Sequence, residues 1–120
     1  MDLVTEVYRA TRVFPRDELY GLTSQLRWAA VSVPSNIAEG QACFSHKEFH
    51  HFLSHARGSL VEIETQLMIA QNLGYLSAEQ SGALLSKAAE LGRVQWPDRI
   101  NEICSVTLQT PLMWCCVSEN

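Results

Sequence analysis

The chain has 120 residues, enough for one domain around one core, and carries nine Lys and Arg against thirteen Asp and Glu, a formal net charge of −4. That balance excludes a strongly basic nucleic-acid-binding domain, though not a local basic patch. No apolar run approaches the roughly 18 residues of a membrane-spanning helix. The first residues lack the basic and long apolar segments of a secretory signal, so the cytoplasm is the expected compartment.

Residues 2–13 read as a first helix, with Leu3, Val4, Val7, Tyr8 and Thr11 in a stripe at helical spacing. Phe14 before Pro15 ends it, because a residue preceding proline disfavours helical geometry. Arg16, Asp17 and Glu18 then make a polar turn. The helix is short for a bundle and starts at Met1, so part of an original N-terminus is expected to be missing.

The second helix, residues 22–42, organises the rest. Leu22, Leu26, Ala29, Val33 and Ile37 recur at steps of four, three, four and four, which is one helical face. Gln25, Ser32, Ser35, Asn36 and Glu39 fall on another face, polar but nearly uncharged. Such a face suits either plain exposure to water or a hydrogen-bonded seam against another subunit. Pro34 has no N–H, and its ring collides with the carbonyl of Ala30. The apolar spacing nevertheless stays in phase from Val33 to Ile37, so the helix is expected to bend and continue. The Ser32 and Ser35 hydroxyls are placed to cover the freed carbonyl.

Ser45 followed by Glu48 is a capping-box signature and starts a third helix over residues 46–72. Its inward stripe is Phe49, Phe52, Leu53, Ala56, Leu60, Ile63, Leu67 and Ala70, a pattern suited to antiparallel bundle packing. Gly58 lies inside this helix at a cost of about 1 kcal/mol against alanine. It predicts close approach of a neighbouring helix, near Ala29 and Ala30. Gly74 ends the helix in a left-handed conformation. Ser77 and Gln80 form a second capping box, opening a fourth helix with Leu84, Leu85, Ala88 and Leu91 inward. The short connection makes the third and fourth helices antiparallel neighbours.

After Val94 the pattern fails at Trp96 and Pro97, and residues 95–120 read as an irregular tail. The apolar run 112–117 is suited to packing on the bundle, to disorder, or to association. Cys43, Cys104, Cys115 and Cys116 match no zinc spacing, so reduced thiols are expected. The expected fold is therefore all-α: an up-and-down antiparallel four-helix bundle over residues 1–94 with an irregular C-terminal tail.

The densest candidate chemistry lies at the start of the third helix. Glu48 and His51 have the Glu-x-x-His spacing of di-iron bundles, and His50 and His55 lie close by. A second such pair is missing, which favours a polar helix face over a transition-metal site made of Glu48, His50, His51 and His55. No nucleophile sits with a base, and the glycines are too dispersed to cradle phosphate. No catalytic residue, enzymatic activity or cofactor is expected. Arg9, Arg12 and Arg16 form a short basic cluster, and Arg27 and Arg57 are placed to face each other across the second and third helices. These are either scattered solvated charges or a nucleic-acid contact surface, and Arg27 and Arg57 suit structural ion pairs equally well.

The residues Tyr20-Gly21-Leu22-Thr23-Ser24-Gln25-Leu26-Arg27, Ala29-Ala30-Val31-Ser32-Val33-Pro34 and Asn36-Ile37-Ala38-Glu39-Gly40 resemble the signature of a bacterial four-helix-bundle family. That family is related to open reading frames in intervening sequences of large-subunit ribosomal RNA genes, the 23S rRNA intervening-sequence type. Ala56-Arg57-Gly58-Ser59-Leu60, Glu62, Glu64-Thr65-Gln66-Leu67 and Leu73-Gly74-Tyr75-Leu76 match in the same order. The resemblance covers roughly residues 3–94. It implies an up-and-down bundle that often assembles as a ring-like pentamer. It also implies kinship with the accessory protein of diversity-generating retroelements, a basic ring that works with a reverse transcriptase and nucleic acid.

Three departures stand out. Several residues that family members carry ahead of Leu3 are absent. Many members have two basic residues where this chain has Arg27 and Trp28, which weakens a nucleic-acid surface. Members continue the fourth helix with leucines where this chain has Gln95-Trp96-Pro97-Asp98-Arg99-Ile100. One codon choice for that stretch, read one base later, gives Asn-Gly-Leu-Ile, so a shifted reading frame is one explanation for the tail.

The expected function is that of a non-enzymatic oligomeric scaffold or adaptor. Its first partner is another copy of itself, with a pentamer implied by the resemblance, and nucleic acid is the second; no membrane is involved. Gln25, Arg27, Ser32, Asn36, Glu39 and Arg57 are the candidate partner surface. The alternative is a metal-binding bundle using Glu48, His50, His51 and His55.

Overall fold

A computed structural model of the chain describes residues 2–42 and 45–93. These form four α-helices and one short 3-10 turn: α1 (Asp2–Thr11), the turn (Arg16–Glu18), α2 (Leu22–Gln41), α3 (His46–Asn72) and α4 (Ala78–Arg93). No strand occurs among the described residues. The most extensive packing joins α2 to α3; α1 packs on α2, α4 packs on α3, and α4 closes back on α1. Each helix thus lies beside its neighbours in sequence and the last beside the first, the arrangement of an up-and-down four-helix bundle.

The core follows most of the sequence pattern, though Leu22, Phe49, Phe52 and Leu85 are only half-buried and Tyr8 is exposed. Leu3 and Val7 enter from α1, and Leu26, Ala29, Ala30, Val33 and Ile37 from α2. Leu53, Ala56, Leu60, Ile63, Leu67 and Ala70 enter from α3, and Leu84, Ala88 and Leu91 from α4. The small residues Ala29, Ala30, Ala56, Ala70 and Ala88 are almost completely buried. They let the helix axes draw close while the leucines and isoleucines fill the space between.

α2 runs unbroken through Pro34, and the proline is itself buried. The pyrrolidine ring therefore offsets part of its lost backbone bond by packing inward. Asn36 Nδ2 donates to the Ser32 carbonyl at 2.7 Å, which is not the Ala30 carbonyl that Pro34 frees.

The helix ends follow their caps. Ser45 Oγ accepts the Glu48 backbone N–H at 3.1 Å. Ser77 and Gln80 form a complete box, the Ser77 hydroxyl accepting from the Gln80 N–H and the Gln80 side-chain oxygen accepting from the Ser77 N–H. Gly74 takes φ 82° after α3, a conformation that favours glycine.

Two expectations need correction. α1 ends at Thr11 rather than at residue 13, because the Arg12 and Phe14 N–H groups close tight turns onto the Arg9 and Thr11 carbonyls. This turn buries Phe14 against the Tyr75 ring, 5.4 Å between centroids. Gly58 does not mark a close helix contact, since a Cβ built there meets nothing within 4 Å. The close approach is at Gly40, where a Cβ would lie 3.0 Å from Phe52 Cβ and 3.1 Å from Phe49 Cδ2.

Gly58→Ala is therefore expected to stabilise the chain by about 0.5–1 kcal/mol, because it stiffens the unfolded chain and meets no neighbour. Urea denaturation of the two proteins in parallel checks this; a lower midpoint for the alanine variant contradicts it.

The expectations for Cys43, Cys104, Cys115 and Cys116, for the run 112–117 and for the tail 95–120 lie outside the described residues.

Candidate interaction surface on α2 and α3

The inward face of α2 is taken up by the core, and the candidate partner residues of this helix lie on its other sides. Gln25 and Glu39 are exposed on it, and Ser32 and Asn36 are half-buried. Among them stands Trp28, 76% exposed, an unusual placement for the largest apolar side chain. Trp28, Ser24 and Gln25 of α2 and Glu62 and Gln66 of α3 line a shallow groove along the seam between the two helices. The Gln66 side-chain oxygen is buried and accepts no hydrogen bond. An unpaired buried acceptor costs roughly 1–3 kcal/mol. Val31 of α2 and Val61, Met68 and Ile69 of α3 are exposed as well.

Arg27 leaves this face. Its Nε donates to Thr11 Oγ1 at 2.8 Å, and its guanidinium carbon lies 4.8 Å from the centre of the Tyr8 ring. Thr11, buried, meanwhile donates to the Val7 carbonyl of its own helix at 2.9 Å. Arg27 thus pins α1 to α2 through a hydrogen bond and a cation–π contact. It does not face Arg57, which stands exposed on α3. Arg9, Arg12 and Arg16 are all exposed around the end of α1 and the turn that follows.

Sequence reasoning passed over Glu18, which ties three elements together. Gly21 has no side chain to cap α2, and Glu18 Oε2 takes that role by accepting the Leu22 N–H at 2.9 Å. Its Oε1 accepts from the Tyr75 hydroxyl at 3.3 Å. Desolvation and then the Glu18 charge push the Tyr75 phenol above its ordinary value. The signal available in the sequence was a glutamate three residues ahead of a glycine at a helix start. On the far side of the bundle Lys87 of α4 bonds Glu6 of α1 and closes the ring of helices.

The Glu/His cluster on α3 does not assemble. His51 Nε2 and His55 Nε2 meet at 3.1 Å, as their spacing of four dictates. His50 instead lies against the Phe49 ring, and Glu48 is exposed at the helix start, its backbone N–H held by Ser45. Among the described residues no group of three or more His, Cys, Asp or Glu side chains is close enough together to hold a metal ion. The metal-binding alternative built on Glu48, His50, His51 and His55 is corrected on that geometry.

No helix among the described residues is long and apolar enough to cross a membrane. Compared with known protein families, residues 1–95 match the one described as 23S rRNA-intervening sequence protein. A comparison with curated proteins gives no match.

Proposed function

From a chain that belongs to the 23S rRNA-intervening sequence protein family, we infer a non-enzymatic helical scaffold or adaptor that assembles with copies of itself and associates with nucleic acid in the cytoplasm. The single observation that carries this reading is the outer face of α2 and α3, where Trp28 stands 76% exposed beside polar, nearly uncharged side chains. Exposed apolar surface rimmed by polar groups is characteristic of protein interfaces. Gln25, Ser32, Asn36 and Glu39 of α2 and Arg57 of α3 belong to this contact surface, and Arg27 supports it from behind by holding α1 in place. A pentamer is the subunit number that the family resemblance favours. The arginines around the end of α1 form the nucleic-acid side, made denser by repetition around an assembly.

Sedimentation equilibrium tests the assembly. The expected mass is a multiple of 13.5 kDa, five-fold for the pentamer. A 13.5 kDa species at every concentration contradicts it. Titration with single-stranded RNA tests the second half. Binding is expected to weaken steeply as salt rises, because phosphate contacts release counterions; no binding at low salt removes the nucleic-acid role and leaves the scaffold.

A further inference from the structure

We propose that the groove between α2 and α3 is a socket for an arginine side chain, and that one of the three arginines around the end of α1 in a second copy of this chain fills it, the other two remaining on the nucleic-acid side. The proposal rests on the self-assembly reading above and says which surfaces meet.

The groove selects its occupant by chemistry. One wall is the exposed indole of Trp28, whose electron-rich face attracts a cation. Glu62 supplies a carboxylate, and Gln66 lines the floor with its amide, whose oxygen a side-chain rotation would present to a donor. Ser24 and Gln25 add further acceptors at the rim. A flat, cationic group with several N–H donors matches every one of these features. Guanidinium stacks on an indole and, at its edge, donates to a carboxylate and an amide oxygen together. Lysine has the charge but not the plane. A phosphate or another carboxylate meets repulsion from Glu62.

The same chain presents the matching group elsewhere. Arg9, Arg12 and Arg16 are exposed, and no carboxylate lies between them in the sequence, although the whole chain carries −4. Arginine cluster and groove are different surfaces, so a contact between copies is made either twice, reciprocally, about a two-fold axis or once, head-to-tail. Head-to-tail contacts repeat from subunit to subunit, and they close into a ring when the rotation allows.

The test compares the 120-residue chain with its variants by light scattering across a concentration series. Trp28 and Glu62 are both exposed, so Trp28→Ala and Glu62→Arg leave the core intact, which circular dichroism verifies. Each substitution is expected to raise the concentration needed for assembly by about tenfold or more, the scale of a lost interface anchor. Arg9→Glu, Arg12→Glu and Arg16→Glu are then each combined with Glu62→Arg. One of these charge swaps is expected to recover assembly. An oligomer indifferent to both Trp28→Ala and Glu62→Arg overturns the socket while leaving self-assembly in place. Assembly lost in Glu62→Arg and recovered by none of the three swaps overturns the assignment of the arginine to a second copy. A chain that is monomeric throughout removes both the socket and the self-assembly reading.

Discussion

Ile63→Ala is expected to cost the bundle about 2–5 kcal/mol, a large share of the roughly 5–15 kcal/mol that holds a domain of this size together. Ile63 is 0% exposed and sits deep in the stripe of α3 that packs into the core. Removing its outer atoms forfeits their transfer from water and leaves a cavity that rigid helices fill only in part. The melting temperature should fall by about 10 °C or more. Two residues away, Val61 is 61% exposed, and Val61→Ala should change stability by less than about 0.5 kcal/mol. Paired thermal and urea unfolding reads both effects. Equal effects at the two positions contradict the assigned orientation of α3.

Gly40→Leu should be comparably damaging for the opposite reason. Gly40 is buried in the last turn of α2, where its missing Cβ lets α3 approach. A Cβ there would stand 3.0 Å from Phe52 Cβ, an atom fixed to the α3 backbone, and 3.1 Å from Phe49 Cδ2. The phenylalanine ring can turn aside, but a backbone-anchored Cβ moves only with its helix. A leucine forces the two helices apart over their most extensive contact, at about 2–3 kcal/mol. Added helix propensity, about 1 kcal/mol over glycine, does not recover this. A Gly40→Leu protein as stable as the parent would mean that α2 and α3 do not meet there.

The gain expected at Gly58 and the loss expected at Gly40 show what was legible in the sequence and what was not. Helix positions came directly from periodicity and caps. α3 begins and ends where Ser45 and Gly74 place it, and α4 starts after the Ser77 box. Local rules of that kind need no knowledge of neighbours. Which glycine touches another helix depends on how two rods align, and pattern alone chose Gly58 when packing chose Gly40.

The same division runs through the candidate surface. Trp28 sits in the stretch that organises the chain, yet its exposure follows from a rotation of α2 that only the packed bundle fixes. Arg27 and Trp28 are adjacent in sequence but about 100° apart around the helix. One is drawn to Thr11 and Tyr8, and the other is left facing out over the groove. The unpaired oxygen of Gln66 was invisible for the same reason. His51 and His55 meet as a spacing of four requires, while the wider set kept as an alternative does not come together.

All of this depends on α2 being one rod across Pro34, with a buried side and an outward side held in fixed relation. Residue-resolved amide hydrogen exchange measures that most directly. The slowest amides are expected in α2 on both sides of the proline, around Leu26 to Ala30 and around Ile37. They should open together with those of α3 around Ala56 to Leu67, with one shared free energy. If the amides beyond Pro34 exchange orders of magnitude faster than those before it, α2 is two segments, and the surface proposed on it does not exist as a unit.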